Sequence, residues 1–528
     1  MRVGIISVYT DYHRRGRHHR GALQPQIGPL IAALLPPDAD VDVVNDTWTD
    51  PDWSKDYDLL FISFLHSDFD RARQISHYWR KRGAKTVCGG TLASLYPELC
   101  RPYFDAVVIG DPEPAVPRVY EDFCAKTLKP LYRALAYRGD LVPLPRLDLV
   151  ARHQVLPLAF EVTRGCPYTC EFCVLTGIGT RHHTRDLSTV VEQFNAARRL
   201  LRPLVPWHRR WISIFYDNNI GGNLGYLRRF CDAMRPLGML WGSSVTFNVV
   251  ADPANVERMA AAGCRLVYVG LETFNPAALS EMRKQQNVLD DIRRVVDLCR
   301  RHGILFTAGL MLSPRNDTIE YIERIPRYLE ECGVQVPTYI CFETPFPGTP
   351  HFTRIAGSAE PPLLPEVLLS DLDAYTLVTR PRHASAEDFV AAFKQTHTEV
   401  YGLRRRLTKL ADDLPRLAAA GSLGAIALDL AEVLFDAQPL ARDRSYIAGT
   451  DKARPETVPL TDADFTSAEE RDRIMKPRQV SDAQGRVLPH WLGAQAVYSA
   501  KGRIRVSAAP MPVPVQSIPR GAIPDPAH

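Results

Sequence analysis

Between residues 156 and 343 the chain alternates short apolar runs with amphipathic helical patterns six times over. The strand candidates are Leu156–Thr163, Trp211–Asp217, Leu240–Phe247, Arg265–Glu272, Leu305–Leu312 and Thr338–Glu343. In the segments between them, apolar residues recur at helical spacing. Leu289, Ile292, Val295, Val296 and Cys299 share one face, and Ile322, Ile325, Leu329 and Cys332 another. Strands joined by helical crossovers pair in parallel. Six such units predict an incomplete parallel (βα)6 barrel rather than a closed (βα)8 one, with its active face at the carboxyl ends of the strands.

A second alternation precedes this one, over residues 1–140. Val3–Tyr9, Val41–Val44, Leu59–Phe64, Lys85–Cys88 and Ala106–Ile109 read as strands, separated by helical patterns such as those over 27–35 and 69–82. This predicts a doubly wound, Rossmann-like parallel sheet, and the whole chain is of the α/β class. Ligands of such sheets sit outside the carboxyl ends of the strands. Residues 141–155, with Pro143 and Pro145, read as a linker, and 156–364 as the partial barrel. Residues 365–445 read as a helical C-terminal domain, with helices over Ala386–Leu403 and Ala411–Phe435. Residues 446–528 read as a proline-rich, largely irregular tail, whose end, VSAAPMPVPVQSIPRGAIPDPAH, is expected to be disordered.

A chain that is 45% hydrophobic supports large cores, and a net charge of +4 gives no argument for nucleic acid as a partner. No targeting segment is expected ahead of the opening strand. The longest apolar stretch, Leu417 to Phe435, is interrupted by Asp429 and Glu432 and reads as a buried helix, so no membrane span is expected. The expected setting is a reducing cytoplasm.

Directly after the first barrel strand the sequence runs Thr163-Arg164-Gly165-Cys166-Pro167-Tyr168-Thr169-Cys170-Glu171-Phe172-Cys173, a C-x3-C-x2-C spacing. A structural zinc would take four ligands, usually as two separated pairs, and no second pair lies nearby. The other cysteines (Cys88, Cys100, Cys124, Cys231, Cys264, Cys299, Cys332, Cys341) stand singly, mostly in apolar runs, and read as small buried hydrophobes. Three thiolates suit a [4Fe–4S] cluster whose fourth iron has no protein ligand. A ferredoxin would close that position with another cysteine.

From Cys166 onward the chain resembles the radical S-adenosylmethionine (SAM) superfamily, and its N-terminal part resembles a cobalamin-binding domain. The second likeness rests on Asp11-Tyr12-His13-Arg14-Arg15-Gly16, Ser63-Phe64-Leu65 and Gly89-Gly90, in the family's order D-x-H-x-x-G, S-x-L, G-G. Asp105–Glu113 resembles the family's GE-x-E stretch, with Asp111 in place of a glutamate. The resemblance implies a cluster on Cys166, Cys170 and Cys173, the catalytic and metal-binding set, with Phe172 against the adenine of SAM. It implies further cofactor contacts from Asp217, Glu272 and the third-strand candidates Ser243, Ser244 and Asn248 on the barrel rim, and from Ser63, Leu65, Gly89 and Gly90 on the sheet. His13 reads equally as a cobalt ligand or as a solvated loop histidine. Lys284 matches a further family position but reads as a surface lysine, and the turn Pro345–Pro350 marks the family without chemistry.

The implied cofactors are a [4Fe–4S] cluster, SAM and cobalamin. The implied activity is reductive cleavage of SAM and methylation of an unactivated carbon of a small molecule or lipid. The alternative on the same architecture is radical cyclisation, oxidation or rearrangement. An electron donor such as flavodoxin or ferredoxin is implied as a partner.

Overall fold

Two six-stranded, all-parallel sheets follow each other along the chain. The computed structural model describes residues 1–9, 26–46, 49–153, 156–179, 181–284, 286–287, 291–434, 446–448 and 458–494. The first sheet comprises β1 (Arg2–Ser7), β2 (Asp40–Asn45), β3 (Leu59–Ser63), β4 (Lys85–Gly89), β5 (Ala106–Gly110) and β6 (Leu131–Ala134), in the order β2-β1-β3-β4-β5-β6. The winding reverses between β1 and β3, which opens a crevice at their carboxyl ends. The register sets Ser7 beside Asn45 and Ser63, and Ser63 beside Gly89, so a row of small and polar residues ends the sheet. The edge strand β6 is not among the predicted strands. Its four residues are too few for a legible alternation, and Arg133 is exposed within it.

The second sheet begins with β7 (Ala159–Phe160). A two-residue hairpin follows, β8 (Thr163–Arg164) with β9 (His183–Thr184), and then β10 (Ile212–Phe215), β11 (Leu240–Val245), β12 (Cys264–Glu272), β13 (Leu305–Leu312) and β14 (Tyr339–Phe342). The order β14-β13-β12-β11-β10-β7 is sequential, the open (βα)6 barrel that the spacing predicts. The predicted first strand is cut short because the Val162 and Thr163 amides leave the ladder to bind the Asp217 carboxylate.

Side chains alternate across each strand. Phe215, Trp241, Val267 and Ala308 face the helical layer. Gly242, Ser244, Tyr268, Gly270, Gly309 and Met311 therefore face the interior. Three of these six are glycines. A Cβ on Gly309 would stand 2.2 Å from the Tyr268 hydroxyl and 2.6 Å from the Tyr339 ring, so this wall has no spare depth.

The base of the barrel, at the amino ends of the strands, is closed by an antiparallel pair of helices, Leu403–Ala419 and Leu423–Leu434. Leu417 and Ala425 pack on Leu305 and Leu266. The expected single helix over Ala411–Phe435 is thus two. Gly421, at φ +64°, turns the chain, and the Ser422 hydroxyl donates to the Gly303 carbonyl at 2.8 Å. Among the described residues no helix is long and apolar enough to cross a membrane.

The expectation of an irregular tail needs correction over residues 458–494. This segment returns to the N-terminal sheet and lays the Ala468–Met475 helix against the Phe69–Lys81 helix. Arg73 donates to the Arg473 carbonyl at 3.1 Å, and the Tyr96 hydroxyl to the Trp491 carbonyl at 2.7 Å. The strap is also joined to residues 363–369 after the barrel, through Leu369 N to Arg478 O at 2.7 Å. Nearby, β15 (Thr376–Leu377) pairs with β16 (Tyr446–Ile447). The proline-rich end beyond residue 494 lies outside the described residues. Trp491 is 1% exposed. Its replacement by alanine should remove about 3–5 kcal/mol of packing. The expected readout is a lower melting temperature with new protease cleavage between residues 458 and 494; unchanged melting would mean that the strap adds no stability.

Candidate functional site

The cysteine loop starts from a joint that four side chains hold. Asp217, at the end of β10, accepts from Val162 N at 3.1 Å and from both the amide and the hydroxyl of Thr163. Its burial without a cation pushes the carboxyl up to about 7, against three donors that favour the charged form. The adjacent Asn218 side chain accepts from Gly165 N at 3.3 Å. Gly165 itself, at φ +83°, turns the chain into the loop. Asn219 is buried, and its amide lies 3.8 Å from the Cys166 sulfur. The strand end Asp217-Asn218-Asn219 therefore supports the loop from below.

Arg164 holds the loop from the side. Its guanidinium donates to Glu161 at 2.7 and 2.9 Å, to Asp111 at 2.9 Å and to Glu113 at 2.7 and 3.1 Å. Asp111 and Glu113 belong to the N-terminal domain, at the start of the Pro112–Cys124 helix. The far side of the loop is held by Glu171, which pairs with Arg283 at 3.0 Å and Arg354 at 2.8 Å. The turn Pro345–Pro350 lies at the same inter-domain joint. The His66 ring bonds the Pro347 carbonyl at 3.2 Å, and Gly348 packs on Leu95. The carboxyl edge of the first sheet thus meets the cysteine loop of the second.

All three loop cysteines are free thiols. Burial pushes the Cys173 thiol up to about 11 and raises that of Cys170, so thiolates here need a cationic partner. Among the described residues no three His, Cys, Asp or Glu side chains converge as a single-ion site requires. Three thiols on one loop at the barrel rim, with a fourth cysteine absent from the loop, fit a cluster with one iron left without a protein ligand.

Glu272 ends β12 at φ +67°, a left-handed conformation that costs a non-glycine residue about 1–3 kcal/mol. Its carboxylate is buried and paired with Lys284. The expectation of a surface lysine is therefore wrong: Lys284 is buried, and its ammonium lies 5.7 Å from the Phe172 ring centroid. Burial alone would lower this ammonium, but the Glu272 carboxylate and the nearby thiols hold it above its ordinary value. Phe172 itself packs against Met282, Met311 and Cys341 in the barrel interior.

The candidates on the third barrel strand divide between its faces, Ser243 being buried. Ser243 shares the face of Trp241 and Val245, towards the helices, while Ser244 faces the interior. In the first sheet, Ser63, Gly89 and Gly90 come together in one cavity of about 100 Å³, lined further by Ile27, Phe61 and Gly110. Gly90, at φ +114°, leaves no room for a Cβ, which would lie 2.9 Å from the Phe64 carbonyl oxygen. Leu65 stands at the same edge, 59% exposed. His13 lies outside the described residues.

A three-cysteine loop leaving the first strand of an open parallel barrel, with a strained carboxylate across the rim, defines a radical SAM enzyme. Residues 160–329 match the Radical SAM superfamily, so this segment is a radical SAM domain, and the two-sheet architecture is shared with cobalamin-dependent radical SAM enzymes. It is 24% identical over 336 residues to bacteriochlorophyllide d C-8(2)-methyltransferase of Chlorobaculum tepidum, covering 61% of this chain and 73% of that one. It is 25% identical over 349 residues to hopanoid C-2 methylase of Rhodopseudomonas palustris, covering 63% and 64%. The solved cobalamin-dependent S-adenosylmethionine radical enzyme OxsB superposes with a TM-score of 0.57 at 12% identity, covering 81% of this chain and 72% of that one.

The buried Glu272–Lys284 pair can be dissected. Lys284→Met should cost about 3–5 kcal/mol, because it leaves a buried carboxylate alone. Glu272→Gln combined with Lys284→Met should recover most of that stability without restoring SAM cleavage. A double variant that cleaves SAM normally would assign the pair a purely structural role.

Proposed function

We propose that this chain is a cobalamin-dependent radical SAM C-methyltransferase acting on an unactivated carbon of a small molecule or lipid, with a flavodoxin- or ferredoxin-type protein as electron donor. One observation carries the reading: the carboxyl edge of the first sheet, with its cavity, abuts the cysteine loop of the barrel through Arg164 and the Pro345–Pro350 turn. A group seated on that edge would face the barrel mouth. The edge suits a corrin with a nucleotide tail. Its cavity is mainly apolar, its floor is glycine where backbone approaches closely, and Leu65 offers an uncovered apolar surface.

When bound, the cluster with SAM supplies hydrogen-atom abstraction, and the cobalamin supplies the methyl group. The protein holds and orients. Cys166, Cys170 and Cys173 would ligate the cluster, Phe172 would line the adenine side, and the Glu272–Lys284 pair would offer a carboxylate and an ammonium to the polar parts of SAM. Asp217 and Arg164 keep the loop in place. Ser63, Gly89 and Gly90 would take the nucleotide tail. The methyltransferase names among the relatives favour methyl transfer over cyclisation or oxidation.

Anaerobic reconstitution tests this. Cys166→Ala, Cys170→Ala and Cys173→Ala should each abolish 5′-deoxyadenosine release. With cobalamin loaded, label from the SAM methyl group should reach the cobalamin. Cleavage that survives the cysteine changes, or a protein that cannot take up cobalamin, would refute the reading.

A further inference from the structure

Two side-chain amides are directed at sulfurs of the cysteine loop. The Asn219 Nδ2 lies 3.8 Å from the Cys166 sulfur, and the Gln286 Nε2 lies 3.7 Å from the Cys170 sulfur. Cys173 is served differently, by the backbone amides of Leu175 and Thr176. Each cysteine of the loop therefore has an N–H donor. For Cys166 and Cys170 that donor is a side chain from another part of the barrel.

Asn219 is 1% exposed and fixed at the end of β10. Its backbone carbonyl bonds the His182 ring at 3.1 Å and accepts from Gly222 N at 3.0 Å. The side-chain Nδ2 lies 3.5 Å from the Thr246 hydroxyl, whereas the side-chain oxygen is buried and accepts nothing among the described residues. A buried acceptor left unsatisfied destabilises a fold. Leucine has the same branching and carries no such cost, so stability gives no reason for an amide here. The donor facing Cys166 does.

Gln286 is held through its neighbour. The Asn287 side chain donates to the carbonyls of Gly270 and Leu271, both at 2.9 Å, and pins the segment to the end of β12. Gln286 itself is half-buried and reaches across to Cys170. Lys284, two residues earlier, brings a charge towards the same sulfur, but the Glu272 carboxylate offsets it. The two neutral amides remain as donors with no opposing partner.

Hydrogen bonds to the sulfurs are among the factors that set the potential of an iron–sulfur centre. Reduction takes a [4Fe–4S] cluster from the 2+ to the 1+ state with one electron from the flavodoxin- or ferredoxin-type donor. No bond forms or breaks, and no proton moves. The sulfurs become more negative, and a hydrogen bond strengthens as its acceptor gains charge. An N–H aimed at a sulfur thus favours the reduced state. We propose that Asn219 and Gln286 raise the reduction potential of the cluster held by Cys166, Cys170 and Cys173. The inference rests on the cluster assignment made above. Asn219, dry and fixed, contributes more than the half-buried Gln286.

The test is a potentiometric titration of the reconstituted full-length protein without SAM, read by the EPR signal of the reduced cluster. Asn219→Leu should make reduction about tenfold less favourable, which is about 59 mV for a one-electron couple. Gln286→Leu should shift the potential the same way by less. Thr246→Val, which removes a neighbour of the Asn219 amide but no donor to sulfur, should leave the potential at the wild-type value. Should Asn219→Leu fail to fold, Asn219→Ala removes the donor without adding bulk and takes its place. A potential that stays or rises on loss of either donor overturns the proposal and leaves the cluster reading intact. So does a fall in Thr246→Val as large as that in Asn219→Leu, which would trace the effect to packing. A wild-type protein that takes up no [4Fe–4S] cluster overturns the proposal together with the reading beneath it.

Discussion

The guanidinium of Arg164 is the point on which the two halves of the molecule agree. One planar fork satisfies Glu161, three residues before it, and Asp111 and Glu113 from the other domain. Only arginine presents enough fixed donors for this. Three carboxylates gathered in one place would repel each other, and burial already pushes Glu161 up. Without the cation the domains would be driven apart at the joint where the cysteine loop begins. Arg164 lies two residues from Cys166, and Asp111 lies between Gly110 and Pro112, which line the cavity of the first sheet. The position of the loop and the shape of the cavity are therefore set by the same contact.

The rest of the rim works by the same logic of local supports. Asp217 and Asn218 hold the entrance of the loop, Glu171 holds its exit through two arginines, and Lys284 approaches its thiols from across the barrel. These supports come from the segments that follow β10, β12 and β14, so the loop is positioned by the barrel as a whole. Beneath it, Gly242, Gly270 and Gly309 on three adjacent strands make room that the side chains of Leu266, Glu272 and Tyr268 fill.

Much of this was legible in the residues. Long apolar runs gave five of the six strands of the first sheet and all six barrel strands, because parallel strands buried on both faces read as near-continuous hydrophobic runs. The cysteine spacing gave the loop. What could not be read depends on phase and distance. Whether Ser243 or Ser244 faces inward turns on the register of β11, which shifts at Trp241. The burial of Lys284 depends on a carboxylate twelve residues away, at the end of a bent strand. The partners of Arg164 in the other domain lie more than fifty residues from it. The break at Gly421 and the return of residues 458–494 are tertiary choices made against weak local signals.

That return has a consequence for the order of assembly. Tyr96 waits for Trp491, and Asp70 for Arg478, partners separated by 395 and 408 residues. At typical elongation rates of about 5–20 residues per second, the gap lasts roughly 20 to 80 s. During that interval the first domain has folded strands but an uncovered helix at Phe69–Lys81. It can adopt its final rigidity only once residues 458–494 have been made. The covering of the first domain is thus tied to the synthesis of a strap about four hundred residues downstream.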